Sequence, residues 1–246
     1  KVVILVATSG DTGKAALEGF ADVPGTQIIV FYPSEGVSDI QKQQMITQTG
    51  KNVKVFGIEG NFDDAQRGVK EIFGNTALSD ELAKKGYTFS SANSINWGRL
   101  VPQIVYYFSA YVDAVKAGKI TAGDPINFVV PTGNFGDILA GYYAKLMGLP
   151  IDRLLCASNS NNVLTDFINT GVYDRRREFF KTVSPSMDIL VSSNLERLLY
   201  SVTEHDAARV ADYMKRLNTE GHYEIDSDDL KQIQSQFFGA WVDELE

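Results

Sequence analysis

Two stretches of this chain share one layout: a short β-branched run, a turn crowded with glycines and hydroxyls, and an amphipathic helix. Val2-Val3-Ile4-Leu5-Val6 passes through Ala7-Thr8-Ser9-Gly10-Asp11-Thr12-Gly13 to Ala15, Ala16, Leu17 and Phe20. Ile126-Asn127-Phe128-Val129-Val130 passes through Pro131-Thr132-Gly133-Asn134-Phe135-Gly136-Asp137 to Leu139, Tyr142, Tyr143, Leu146 and Met147 at helical spacing. A chain that alternates buried strand and amphipathic helix in this way must form parallel sheets with helices packed on them, linked by right-handed crossovers. The expected class is therefore α/β, with open, mostly parallel sheets flanked by helices in two αβα units.

The first unit is expected over residues 1–86 as a small βαβαβα domain. Its further strands are Gln27 to Tyr32 and Val53 to Ile58, and its helices run from about Thr12, from Ser38 and after Asn61. Ser38-Asp39-Ile40-Gln41 reads as a capping box. Asn61 reads as an N-cap, with Asp63 and Asp64 complementing the helix dipole. Residues 87–246 make the second unit: a segment from Thr88, a long helix from Trp97, the strand at Ile126, the helix from Gly136 and a strand over Arg153 to Ala157. A helical portion follows, near Asn194 to Tyr200, His205 to Leu217 and Asp228 to Phe238.

Both turns suit an anion. Gly133 and Gly136 let successive N–H groups converge, the helix that follows adds its positive end, and no basic residue lies between Pro131 and Asp137. Ser9, Thr12 and the amides around Gly10 offer further donors, although the same pattern also serves as an ordinary strand–helix connection. Gly13-Lys14 is not a Walker A loop, since the spacing of that motif is absent. Ser90 to Arg99 is dense in small polar residues and ends in one arginine, which suits a fork-like grip on phosphate or carboxylate. Ser94 or Asn96 could equally cap the helix that follows. In open α/β sheets ligands gather at the carboxyl ends of strands, where Ser9, Ser91 and Gly133 all fall.

Composition narrows the function. With 23 basic and 31 acidic residues the net charge is −8, which disfavours nucleic acid. No apolar run is long enough to span a membrane and no signal-peptide pattern is present, so a cytoplasmic protein is expected. The single cysteine, Cys156, follows Leu154-Leu155 and reads as a buried, inert thiol. His205 and His222 are far apart and read as surface residues, the first opening a helix and the second in a loop, so no metal site is expected. Arg175-Arg176-Arg177 reads as a solvated helix face or a domain-contact patch. No Gly-x-Ser-x-Gly elbow occurs.

Together, Ser9-Gly10-Asp11-Thr12-Gly13, Asn61-Phe62-Asp63-Asp64, Ser91 to Asn96 with Arg99, Pro131 to Asp137, Ser184-Pro185-Ser186-Met187-Asp188 and Ser192-Ser193-Asn194 resemble the threonine synthase family in order and spacing, from Lys1 to at least Tyr200. The resemblance implies the tryptophan synthase β-like fold, pyridoxal-phosphate fold type II, present here incompletely. It implies a lyase of amino-acid (threonine) biosynthesis that turns O-phospho-L-homoserine and water into L-threonine and phosphate, with pyridoxal 5′-phosphate as cofactor. In the family the Gly-Asn-Phe-Gly-Asp loop holds the cofactor phosphate, which implies Gly133, Asn134, Phe135, Gly136 and Asp137. The substrate's anionic groups fall by the same resemblance to Ser9, Gly10, Asp11, Thr12, Ser94, Asn96 and Arg99. Amino-acid dehydratases and cysteine synthases resemble the chain more distantly, since they usually carry a run of glycines where it has Gly-Asn-Phe-Gly-Asp.

The family's Schiff-base lysine lies upstream of the Ser-Gly-Asp-Thr-Gly turn, in a Phe-Lys-Asp context that no lysine of this chain shares. The chain is therefore expected to be an internal fragment with no catalytic residue of its own, inactive alone. Its cofactor could be absent or replaced by phosphate or sulfate, and truncation would expose surface for self-association. The other reading open at this point is a lyase-like protein that binds phosphate or pyridoxal phosphate without catalysing a reaction.

Overall fold

A computed structural model describes residues 1–8, 10–93 and 96–243, and the chain divides into two compact units, Lys1–Asn96 and Trp97–Glu246. In the first, the chain runs β1 (Val2–Ala7), α1 (Asp11–Phe20), β2 (Thr26–Pro33), α2 (Asp39–Ile46), β3 (Val53–Ile58), α3 (Phe62–Gly74), α4 (Thr76–Lys84) and β4 (Thr88–Ser91). The four strands form one parallel sheet in the order β3-β2-β1-β4. Alternation along β1 splits the core. Ile4 and Val6 pack with Leu17, Ile28, Val30 and Met45 on one face, while Val3, Leu5 and Ala7 pack with Ala65 and Val69 on the other. Helices thus cover both faces, as an all-parallel sheet requires.

The expected capping signals are present. The Ser38 side chain accepts from the Gln41 N–H while Gln41 reaches back to Ser38, and Asn61 and Asp64 make the same reciprocal pair at α3.

The boundary expected at residue 86 moves to Asn96. β4 pairs with β1 in register Val2↔Thr88 to Leu5↔Ser91, so the segment from Thr88 completes the first sheet instead of opening the second unit. The order has a consequence: β2 lies on one side of β1 and β4 on the other. The chain therefore reverses direction across the sheet at β1 and β4, whose carboxyl ends flank a topological switch point, the usual ligand position in such sheets.

The second unit contains α5 (Trp97–Lys116), β5 (Ile126–Pro131), α6 (Gly136–Leu146), β6 (Ile151–Ser158), α7 (Val163–Thr170), β7 (Val172–Asp174), a 3₁₀ turn (Pro185–Met187), α8 (Leu195–Val202), α9 (Ala207–Thr219), β8 (His222–Glu224), α10 (Ser227–Gln236) and β9 (Phe237–Trp241). β5, β6 and β9 form a parallel sheet, and β7 and β8 an antiparallel pair. One apolar core joins α5, α6, α7, α8 and the sheet through Leu139, Leu154, Phe167, Leu198 and Phe237.

Three local expectations change here. The helix expected to reach Phe238 ends at Gln236, because Phe237 already has extended backbone and enters the ladder opposite Leu154. Arg175–Arg177 is not helical. Arg176 pairs with Asp174 at 2.8 Å and Arg177 with Asp166 on α7 at 2.8 Å, so these charges tie the chain leaving β7 back to that strand and to α7. His205 sits in a turn at φ 69, ahead of a helix that Asp206 caps, and His222 lies in β8.

Among the described residues no helix is long and apolar enough to cross a membrane, and no cluster of His, Cys, Asp and Glu could hold a metal ion.

Candidate functional site

The Pro131–Asp137 turn leaves β5 and enters α6. Its start is fixed by the Thr132 N–H, which donates to the Ala157 carbonyl at 2.9 Å. Asn134 Oδ1 then accepts the Gly136 N–H at 2.8 Å, closing an Asx turn. Phe135 takes the left-handed conformation, φ 63 and ψ 9, and its ring is fully buried 5.6 Å from that of Phe237. Two carbonyls are held from behind. Ser192 Oγ donates to the Gly133 oxygen, and Asn194 donates to the Asn134 oxygen through its backbone N at 3.1 Å and Nδ2 at 3.0 Å.

The N–H groups of Gly133, Asn134, Phe135 and Asp137 meet no acceptor among the described residues. A row of unspent donors at the head of an eleven-residue helix is a positive concavity, and it fits a phosphate monoester. A cup made this way needs no basic side chain.

Gly133 is required for closeness. A Cβ there would stand 3.0 Å from the Ser186 carbonyl oxygen and 3.2 Å from Met187 Cα, so the Pro185–Met187 turn packs directly on the loop. That turn is held in turn by Asp188, a buried carboxylate accepting from the side chains of Asn159, Asn161 and Thr182 and from the Thr182 N–H. Asp137 itself is solvent-exposed as a residue, and partial burial of its carboxyl raises its pKa above the ordinary aspartate value. Its carbonyl accepts the Tyr107 hydroxyl at 2.9 Å.

The Ser-Gly-Asp-Thr-Gly turn in the first unit is built differently. Thr8, only 1% exposed, accepts the Gly10 N–H at 2.9 Å and the Gly13 N–H at 2.8 Å on its single hydroxyl. Two amides that the sequence offered to a ligand are therefore spent internally, and Gly10 serves shape. Its φ is 146, and a Cβ would lie within 2.5 Å of three atoms of the Gln41 side chain. Gln41 also binds the exposed carboxylate of Asp11, at 2.8 Å. Thr12 follows on the first turn of α1.

Asn93 brings the third segment to the same place. Its amide copies a strand partner for Ala7, accepting the Ala7 N–H at 3.0 Å and donating to the Ala7 carbonyl at 2.6 Å. Asn96 donates to the Ser91 carbonyl at 2.8 Å. Gly10, Asp11, Thr12 and Asn96 thus share the carboxyl edge of β1 and β4. A pocket of about 470 Å³ lies along β4 on the side of α3, lined by Lys70, Phe73, Ser90, Ser91 and Asn96 and by none of Gly10, Asp11 and Thr12. Arg99 lies in the second unit, on the first turn of α5, where burial lowers its pKa from the usual arginine value. A guanidinium remains charged through the physiological range even so. Ser9 and Ser94 lie outside the described residues.

Thr8, Asn93, Ser192 and Asn194 support these turns although the sequence assigned them no role, Asn93, Ser192 and Asn194 having counted only within the segments that carry the family resemblance. Thr8 and Asn93 carried a signal, as polar residues within or just after buried strands. The partners of Ser192 and Asn194 lie about 60 residues away, as the 59- and 60-residue separations of those hydrogen bonds show.

No protein-family model matches the chain. It is 47% identical over 251 residues to Threonine synthase-like 1 of Homo sapiens, an alignment covering 99% of the chain and 34% of that protein. It is 38% identical over 246 residues to Threonine synthase of Saccharomyces cerevisiae, covering 96% and 46% respectively. The crystal structure of PLP-bound Threonine synthase from Brucella melitensis superposes with a TM-score of 0.84 at 43% identity, over 99% of this chain and 50% of that one. A pyridoxal 5′-phosphate-dependent aspartate racemase, 12% identical with a TM-score of 0.53, shares the fold alone. The architecture is that of fold type II pyridoxal-phosphate enzymes. The chain spans about a third to a half of the length of these relatives. By sequence and by fold, over nearly all its residues, it belongs to the threonine synthase family.

Proposed function

We propose that these residues are the ligand-binding segment of a pyridoxal-phosphate-dependent threonine synthase, acting on O-phospho-L-homoserine and water to give L-threonine and phosphate. The observation that carries this reading is the row of unspent N–H groups at Gly133, Asn134, Phe135 and Asp137. These would hold the cofactor phosphate, with Gly136 locked into the turn by Asn134. Charge-assisted hydrogen bonds of this kind contribute about 1.5–3 kcal/mol each. When bound, the cofactor supplies the electron sink, and the protein supplies position and charge.

The substrate's carboxylate and phosphate fall to Ser9, Gly10, Asp11, Thr12, Ser94, Asn96 and Arg99. Gly10 keeps Gln41 and Asp11 in place, Asn96 shapes the turn past β4, and Arg99 contributes the permanent positive charge. No lysine here stands in the Phe-Lys-Asp context that the family's chemistry uses, so the 246-residue chain alone is expected to form no threonine.

The test is to supply O-phospho-L-homoserine and pyridoxal phosphate to the full natural protein that carries this sequence, and to measure threonine and phosphate together. Equal amounts of both support the proposal. Phosphate without threonine would assign a different lyase. Phosphate binding with neither product would favour a lyase-like binding protein that keeps the loop and lacks the reaction.

A further inference from the structure

Asn194 stands at the N-cap of α8, where an asparagine side chain ordinarily accepts an N–H from the first turn of the helix. It makes no such bond. Its side chain is buried, 0% exposed, and turned the other way: Nδ2 donates to the Asn134 carbonyl at 3.0 Å, alongside its own backbone N–H at 3.1 Å. Arg197 donates to Asn194 Oδ1, which fixes which end of the amide faces the loop, and its guanidinium lies 5.9 Å from the centre of the Trp97 ring. Ser192, two residues earlier, donates through Oγ to the Gly133 carbonyl. A helix has given up its cap, and two side chains converge on consecutive carbonyls of one loop.

The effect follows from peptide geometry. In a planar trans peptide the carbonyl of one residue points opposite to the N–H of the next. Holding the Gly133 oxygen therefore aims the Asn134 N–H to the far side, and holding the Asn134 oxygen aims the Phe135 N–H likewise. Both are among the N–H groups that meet no acceptor. Without the two donors, each carbonyl would be free to rotate toward solvent and carry its N–H out of the cup.

We propose that Ser192 and Asn194 are positioning residues that pre-orient the Asn134 and Phe135 N–H groups for an anion, each governing one of them. This deepens the proposed function and rests on the reading that the loop receives a phosphate.

The experiment uses the full natural protein, 15N-labelled at Asn and Phe and titrated with inorganic phosphate and, separately, pyridoxal phosphate, as wild type, Ser192→Ala and Asn194→Ala. In the wild type both the Asn134 and Phe135 amide resonances should move on adding phosphate. Ser192→Ala should weaken phosphate binding about tenfold, the loss expected when one charge-assisted hydrogen bond is misaligned. It should also shrink the Asn134 response while leaving that of Phe135. Asn194→Ala should do the reverse, less completely, because its backbone N–H still reaches the Asn134 carbonyl. A merely structural role would lower the melting temperature without this residue-specific split.

Unchanged affinity and unchanged responses in Ser192→Ala would overturn the proposal, as would both amides losing their response together in either folded variant. If Asn194→Ala does not fold, Ser192→Ala decides alone, with Phe135 as the internal reference. A wild type whose loop amides ignore both ligands would instead sink the phosphate-cup reading, and the positioning role with it.

Discussion

Replacing Gly141 by alanine tests how tightly α5 and α6 support the cup. An ideal Cβ at Gly141 would stand 2.6 Å from Tyr107 Cε1, 2.7 Å from its Cζ and 2.9 Å from Leu154 Cδ2. All three are closer than real Cβ atoms come. Tyr107 cannot step aside cheaply, being 4% exposed, bonded through its hydroxyl to the Asp137 carbonyl at 2.9 Å and packed edge-on against Phe128 at 4.8 Å. Two effects oppose each other. Alanine in a helix interior is worth about 0.8–1 kcal/mol over glycine. Overpacking costs about 1–3 kcal/mol, and loss of the Tyr107 hydrogen bond adds about 1 kcal/mol. The balance is a net destabilisation of roughly 1–3 kcal/mol. Both tryptophans, Trp97 and Trp241, lie in the second unit, so tryptophan fluorescence through a urea titration follows that unit. The midpoint should fall in Gly141→Ala. In a Tyr107→Ala background two of the three short contacts disappear, and the same substitution should cost less than half as much. A midpoint that holds or rises in the otherwise native chain would refute the reasoning, because helix propensity would then outweigh a packing conflict that does not exist.

Asn93→Ala removes both contacts with Ala7, and with each of two backbone groups left unmatched the cost should be about 2–3 kcal/mol, read as faster hydrogen exchange at the Ala7 N–H. Asp188→Ala removes the acceptor shared by the side chains of Asn159, Asn161 and Thr182 and by the Thr182 N–H, leaving the three side chains only their remaining partners, so it should destabilise by about 2–3 kcal/mol and make residues 179–188 the first site of limited proteolysis. Burial pushes the Cys156 thiol up from 9.0 to about 12, so the unfolded chain releases its proton first as pH rises. That thiol contributes stability that is full below pH 9 and is lost toward pH 12. Wild type should therefore lose stability between those limits more steeply than Cys156→Ala, and its thiol should resist iodoacetamide until the protein unfolds.

Local chemistry made much of this fold legible in the sequence. β1, β2, β3 and β5 are β-branched runs, the helix stripes repeat at the right spacing, and the two capping boxes depend on residues three apart. What escaped depends on partners far along the chain. β4 is only Thr88-Phe89-Ser90-Ser91, and nothing in those residues says that they pair with Val2 to Leu5. α4 buries none of its side chains and so presents no apolar stripe. β9 follows α10 with no loop between them, and Gly239 belongs there because a Cβ would stand 3.0 Å from Thr165 Cα on α7. The candidate site divides in the same way. The glycine turns were visible as turns, but whether their amides were free was not. Thr8 consumes two N–H groups in one turn, while Ser192 and Asn194 engage the carbonyls of the other and leave its N–H groups available.

Phe135 shows how that availability is maintained. A left-handed φ of 63 costs a non-glycine residue about 1 kcal/mol, so glycine is the residue that backbone conformation alone would select. Phenylalanine accepts the strain and offsets it by burying its whole ring against Phe237, at about 2–3 kcal/mol for a side chain of that size. The ring then acts as an anchor. A glycine there would relax the backbone and release the loop from β9, letting the N–H groups turn away. Phe135→Ala keeps the strained backbone and loses the anchor, at about 3–5 kcal/mol. Phe135→Gly also loses the anchor but relieves the strain, so it should match or exceed the alanine variant by about 1 kcal/mol, reversing their usual order. Calorimetric melting of the two variants decides it, and a glycine variant less stable than alanine would refute the anchor-against-strain account. Phosphate titration separates the remaining effect: both variants should bind more weakly than Phe135→Leu, which keeps an apolar anchor against Phe237 and with it the aim of the loop.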